Sequence, residues 1–359
     1  MSSEYEVPVV PIKKEAHPNA DTLSIVRVFG WQVVVKTSEW EDGDLAAYVR
    51  PDSVVPHRPE WHWLQGLDGD FKASRYRIRV RKFRKEWSHG VLVKIPEYLV
   101  GLAYEWKEGD NLAEVMGIKN YEPPSRHHEG SGSREKIAWW RRLMAYVREL
   151  AVRPRGSFPY YDVEHLRRFP DLIREGEEVV ITEKVHGANA LYTWRKPWIG
   201  RSGVYMRSRT VWKWPMQRHW WSAALEATPQ LVAFLKAHPG DVVYGEVYGS
   251  GKDSGLPDVQ DLTYRSSCIR FVAFDIRRGQ EWVDAETADA ELAAFGVPRA
   301  PILYRGPFNM EAALGLAEGD STLCPGQMAE GVTVKTAGRH RRQLKAVSSR
   351  YLEKCGGEG

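Results

Sequence analysis

The chain has 359 residues, 43% of them hydrophobic, and a formal net charge of +4, which allows two domains with separate cores but names no partner by charge alone. No run of about 18 apolar residues predicts a membrane span, and the opening MSSEYEVPVV lacks the charged-then-apolar order of a secretory signal, so a cytoplasmic protein is expected. Three cysteines, Cys268, Cys324 and Cys355, stand far apart with no CxxC pair, which argues against a zinc cluster and a disulfide framework.

Over residues 1–118, short β-rich runs such as LSIVRVFGWQVVVK, DLAAYVR and RYRIRVRKF are separated by Gly, Asp and Pro, predicting a compact β-barrel. In RYRIRVRK an alternating strand places Arg75, Arg77, Arg79 and Arg81 on one face, opposite Tyr76, Ile78 and Val80. That basic stripe suits a nucleic-acid backbone; a merely solubilising face is the alternative.

Residues 119–155 read as a linker and a helix. YEPPSRHHEGSGS is polar and rich in Pro, Gly and Ser, so His127 and His128 are read as solvated loop residues rather than metal ligands. REKIAWWRRLMAYVREL follows, with Ile137, Trp140, Met144 and Val147 at helical spacing. Over 156–359 strands interleave with helices, predicting an α+β domain with mostly antiparallel sheets.

Within that domain VVITEKVHGANA, residues 179–190, reads as an apolar strand ending in Lys184 and a glycine turn. Lysine becomes a nucleophile where desolvation or a neighbouring cation favours the neutral amine, and a strand end under a glycine turn can provide both; a lysine reaching solvent from a sheet edge is the plain alternative. Gly187 would also let a substrate approach the backbone closely. Downstream come Glu246 in YGEVYG, Phe274 and Asp275 in FVAFDI, Glu330 and Lys335 in EGVTVK, and Lys345 in RQLKAVS.

Strand alternation makes two geometric demands here. Glu330 and Lys335 fall on opposite faces of a regular strand, so both line one pocket only if Gly331 breaks the alternation. Phe274 and Asp275 likewise point to opposite faces, so if Phe274 stacks on a base, Asp275 braces a neighbouring basic group instead.

In order, these motifs resemble the covalent nucleotidyltransferase superfamily of ATP-dependent ligases and capping enzymes. EKVHGAN resembles the RNA ligase branch, having His186 where DNA ligases and capping enzymes usually carry Asp or Asn. HPNADTLSIVRVFGWQVVVK, DSVVP and IRVRKFRKEWSHG resemble the N-terminal OB module of Deinococcus-type RNA ligases, and with YYDVEHLRRF the likeness spans almost the whole chain. The resemblance implies an OB-like β-barrel followed by an ATP-grasp-like, DNA-ligase-type nucleotidyltransferase domain.

It further implies an ATP-dependent RNA ligase that seals 3'-OH/5'-phosphate breaks in duplex RNA or RNA-containing hybrids through a Lys184-AMP intermediate. Catalytic roles then fall to Lys184, Arg209, Lys335 and Lys345, with Arg207 the alternative motif arginine. ATP would be bound by these together with Glu183, His186, Asn189, Glu246, Phe274 and Glu330. Glu246 and Glu330 would hold Mg²⁺ or Mn²⁺. Gln343 departs from the family's first lysine of the last motif, leaving its phosphate contacts open, although Arg341 and Arg342 are adjacent. The expected partner of a monomeric protein is RNA, with no membrane. Another covalent nucleotidyltransferase, such as a DNA ligase or GTP-using capping enzyme, and an inactive OB-type RNA-binding protein remain alternatives.

Overall fold

The computed structural model describes residues 5–56, 77–96, 105–120, 158–195, 202–213, 217–337 and 341–355, without Asp162 and Asp261, and also Arg58, Trp61, Trp63, Leu64 and Leu99. The expected helix after residue 133, the linker with His127 and His128, and Arg75 lie outside the described residues. The chain divides into two compact units, one comprising Met1–Arg126, Arg167–Pro170 and Ser349–Gly359, the other His127–Leu166 and Asp171–Ser348. No helix among the described residues is long and apolar enough to cross a membrane.

In the first unit the strands are β1 (Val9–Pro11), β2 (Lys14–Ala16), β3 (Leu23–Val28), β4 (Trp31–Lys36), β5 (Leu45–Val49), β6 (Ser53–Val54), β7 (Arg81–Phe83), β8 (Glu86–Ser88), β9 (Val91–Lys94) and β10 (Lys119–Asn120). Two three-stranded antiparallel sheets, β1-β5-β9 and β2-β3-β4, dominate it. The two-residue period of β5 explains its wholly apolar sequence: Ala46 and Tyr48 pack with Val26, Val33 and Val35, while Ala47 and Val49 pack with Val9, Trp61 and Ile78. The C-terminal helix Ser349–Cys355 belongs to this unit, with Ser349 Oγ 2.8 Å from the buried His89 Nε2.

The expected arginine stripe is not a regular strand face. Arg77 forms an isolated bridge to Val54, residues 78–80 belong to no strand, and pairing resumes only at β7. Arg77 is buried, and its Nε donates to Asp52 Oδ1 at 2.8 Å. It therefore leaves the stripe, while Arg79 and Arg81 are half-buried.

The second unit contains β11 (Glu164–His165), β12 (Glu178–Lys184), β13 (Ala188–Arg195), β14 (Gly203–Arg207), β15 (Trp212–Lys213), β16 (Val242–Tyr248), β17 (Arg270–Arg278), β18 (Glu281–Trp282), β19 (Ile302–Pro307), β20 (Gly331–Thr336) and β21 (Gln343–Val347). They form a five-stranded sheet ordered β11-β21-β20-β12-β19 and a six-stranded sheet ordered β15-β14-β13-β16-β17-β18. Only the short β11–β21 pair is parallel among the described strands. Helices Trp220–Glu226, Pro229–Ala237 and Ala285–Ala294 bury one face of the six-stranded sheet, packing Trp221, Leu231, Phe234 and Leu292 on Tyr192, Val243 and Phe271.

The chain passes from the first of these sheets to the second between β12 and β13, immediately after Lys184. Here Gly187 is required by the protein's own packing, because a Cβ would lie 2.2 Å from the Val247 carbonyl oxygen of β16. The expected role of Gly187 in admitting a substrate is thus replaced by close approach of one strand to another.

Candidate active site

Lys184 closes β12 directly opposite Gly331, the first residue of β20. Its side chain is one quarter exposed, and its Nζ is hydrogen-bonded and ion-paired to the buried Glu330. Thr333 and Lys335 line the same cavity from alternate positions of β20. Glu330 precedes Gly331, which adopts φ +154°, a conformation reserved almost entirely for glycine, and a Cβ there would lie 2.1 Å from Ala346 O. Gly331 thus breaks the regular strand, but only Lys335 of the two is among the cavity-lining residues; Glu330 meets the cavity through Lys184.

Glu246 faces this pair from the other sheet, opposite Asn189 in the β13–β16 register. Burial pushes its carboxyl up to about 8; Lys184 pulls it back and Glu330 pushes it further. Against an ordinary value of 4.5, the folded protein keeps this proton where the unfolded chain has lost it, so stability falls as pH rises from about 4.5 to 8. Glu246→Gln, neutral throughout, is expected to flatten that slope in chelator-treated protein and to exceed the unaltered protein by roughly 3 kcal/mol at the alkaline end, read by thermal unfolding across the window.

The oxygen donors Glu246 and Glu330 fit a hard divalent cation. Among the described residues no group of three or more His, Cys, Asp or Glu side chains could hold a metal, so such an ion would complete its shell with water and phosphate oxygens. His186 stands beside these carboxylates, its Nδ1 4.0 Å from Glu330 Oε2.

A bulge rearranges the aromatic-Asp strand. Tyr244 pairs with Asp275 but Gly245 pairs with Ala273, leaving Phe274 as the extra residue of β17. Parity therefore changes: Phe271, Ala273 and Ile276 face the helix-covered core, whereas Phe274 and Asp275 both meet Tyr161. The Tyr161 and Phe274 ring centroids are 4.6 Å apart, and the Tyr161 hydroxyl donates to Asp275 Oδ2 at 2.6 Å. The expectation that Phe274 and Asp275 occupy opposite faces fails for this reason.

Asp275 nonetheless braces cations. Lys335 Nζ donates to Asp275 Oδ2 at 3.0 Å and to Phe274 O at 2.6 Å, and Arg341 Nη2 donates to Asp275 Oδ2 at 2.8 Å. Burial pushes the Lys335 ammonium below its usual range, with Arg341 adding to this and Asp275 opposing it. Gln343 Oε1 accepts from Arg341 Nη2 at 3.1 Å, so an uncharged residue in the first position of the last motif sits beside an arginine.

Lys184, Glu246, Phe274, Lys335 and Lys345 line a cavity of about 200 Å³ with Asn189, Arg209, Thr333 and Tyr161. Glu183 contributes to its wall, but its buried carboxylate accepts from Tyr264 Oη at 2.8 Å, Thr322 N at 2.9 Å, Leu323 N at 3.1 Å and the Ser321 hydroxyl. Of the two candidate motif arginines, Arg209 is exposed and reaches the cavity. Arg207 is buried and donates to Phe158 O at 2.8 Å and Pro159 O at 3.1 Å.

Residues 177–347 match the RNA ligase family, and residues 9–95 match an OB-fold domain. The chain carries an RNA ligase domain behind an OB-fold domain. Every cavity-lining residue except Tyr161 and Val163 lies within the matched RNA ligase residues. No curated protein sequence matches this chain.

The fold of the chain is similar to that of Naegleria gruberi RNA ligase with PPi, at TM-score 0.71 and 20% identity, covering 98% of this chain and 99% of that one. A lysine-to-alanine variant of the Naegleria enzyme with ATP and Mn gives TM-score 0.69 and 19% identity over 98% and 99% of the two chains. A glutamate-to-alanine variant with AMP and Mn gives 0.71 and 18% over 97% and 98%.

Among the residues at this site that the sequence did not mark are Tyr161, Ser321 and Tyr264. Tyr161 was visible only as part of YYDVEHLRRF, with no spacing that tied it to the Asp275 strand. Ser321 and Tyr264 carry no motif signal at all, and meet Glu183 across 138 and 81 residues of chain.

Proposed function

We propose that the RNA ligase domain is an ATP-dependent ligase that joins 3'-hydroxyl and 5'-phosphate ends at nicks in duplex RNA or RNA-containing hybrids. The observation that carries this reading is Lys184, paired with Glu330, lining one cavity with Glu246, Lys335, Lys345, Arg209 and Phe274. The Naegleria structures with PPi, with ATP and Mn, and with AMP and Mn support the choice of nucleotide and cation.

In this reading the Lys184 Nζ–phosphorus bond forms at the α-phosphate of ATP as the bond to pyrophosphate breaks. The amine must lose a proton, and the proposed acceptor is Glu330 Oε1, its hydrogen-bond partner. AMP then passes to the 5'-phosphate end, and the 3'-hydroxyl displaces it. Lys335 and Lys345 neutralise charge on the α-phosphate, Phe274 stacks on adenine, and Arg209 contacts the ribose or the 5'-phosphate. Asn189 contacts the ribose or the 3'-end, and Glu183 holds the lysine strand. Glu246 and Glu330 would hold Mg²⁺ or Mn²⁺, which supplies positive charge against the phosphates when bound. Arg79 and Arg81 of the OB-fold unit would contact the RNA backbone.

Intact mass after incubation with ATP and Mn²⁺ tests this directly. A gain of one AMP, mapped to the Lys184 peptide and reversed by pyrophosphate, is expected, followed by sealing of nicked duplex RNA. Labelling by GTP but not ATP, or no adduct under any metal condition, would overturn the reading.

A further inference from the structure

We propose that Tyr264 is a positioning residue for the nucleophile, its hydroxyl setting the separation between the Lys184 strand end and Glu330. This rests on the adenylylation chemistry proposed above. The Tyr264 side chain is fully buried, and its hydroxyl is a junction between two chain segments. It lies 2.8 Å from Glu183 Oε1 and 3.0 Å from the Lys184 carbonyl oxygen, and accepts the Glu330 N–H at 3.3 Å. A phenol has one proton and two lone pairs, so this hydroxyl shares its proton between the two acceptors and uses a lone pair for Glu330. The main-chain groups it joins belong to the two residues whose side chains form the Lys184–Glu330 ion pair.

Tyr264 holds that position in an unfavourable backbone conformation, φ +57°. A bulky residue in the left-handed region costs roughly 1–3 kcal/mol and persists only where its surroundings impose it. They do so here: Gln260 Nε2 donates to Tyr264 O at 3.1 Å, and Thr263 Oγ1 to Met328 O at 2.6 Å. Gln327 pairs with the Arg265 backbone in both directions, at 2.7 Å from N and 3.0 Å to O. The clamp delivers the phenol to the strand end rather than relieving it. Because in-line attack loses roughly a hundredfold for a misplacement of about 1 Å, loosening this junction acts on the step in which Lys184 Nζ bonds phosphorus. It spares the final sealing step, in which no bond to Lys184 forms.

Tyr264→Phe keeps the ring and removes the hydroxyl. Single-turnover lysine adenylylation and sealing of a pre-adenylylated RNA nick are measured side by side, with thermal unfolding. The variant is expected to form Lys184-AMP roughly 30- to 100-fold more slowly, with the ATP concentration for half-maximal rate changed by less than about threefold and sealing by less than about threefold. Unchanged adenylylation, or equal loss in both steps, overturns the proposal. If Tyr264→Phe does not fold, Gln260→Ala, which frees the Tyr264 carbonyl and leaves the hydroxyl in place, is expected to show the same selective loss at roughly tenfold; equal loss again overturns it. Absence of an AMP adduct on the unaltered protein would instead remove the adenylylation reading, so the two failures are distinguishable.

Discussion

Lys184→Ala is expected to take up no AMP from ATP under any metal condition, yet to seal a pre-adenylylated RNA nick within roughly tenfold of the unaltered protein. The substitution removes the proposed nucleophile with its methylene stem, and none of the groups proposed for the last step depends on it covalently. Lys335, Lys345 and Arg209 line the cavity from other strands and loops, so the substitution leaves their anchorage in place. A second effect follows from the ion pair: Glu330, only 5% exposed at its side chain, loses its cation. Stability in chelator should therefore drop, because a buried carboxylate without a partner either remains charged at a penalty or takes up a proton. An AMP adduct on Lys184→Ala would show that another residue is the nucleophile.

Asp275→Ala is expected to be the most destabilising single change in the site, lowering stability by roughly 3–5 kcal/mol. Its carboxylate lies between Lys335 and Arg341, whose side chains are each 2% exposed, and accepts the Tyr161 hydroxyl as well. Removing it leaves two buried cations facing each other. Asp275→Asn retains one oxygen acceptor and should lose less. Burial pushes the Asp275 carboxyl up, but Lys335 and Arg341 outweigh it and hold the group below its ordinary value of 3.8. Its contribution is therefore present above that value and is lost as pH falls through the depressed one, so Asp275→Asn should also remove part of the acid limb of the unfolding profile. Denaturant midpoints at neutral and acid pH read both effects, and a midpoint for Asp275→Ala equal to that of the unaltered protein would show that the cations find other partners. Adenylylation should fall with stability, since Lys335 then lacks the group that aims it.

By itself the sequence determined which residue types recur in which order, and that was enough to gather most of the cavity. Lys184, Glu246, Phe274, Lys335 and Lys345 each stand on a strand whose period is local, and short motifs keep their meaning along such a strand. Even the kink at Gly331 followed from counting parity between Glu330 and Lys335.

What only the tertiary structure decided is every feature set by a partner distant in the chain. Whether Asp275 shares a face with Phe274 depends on how β17 registers against β16, and one unpaired residue reverses the answer. Arg77 left its stripe because Asp52 lay within reach, and Gly187 was required by a carbonyl oxygen of β16. Tyr264 joins the lysine strand across 80 residues through its hydroxyl. Local periodicity places side chains along a strand, whereas burial and hydrogen bonding between distant segments decide which of them meet.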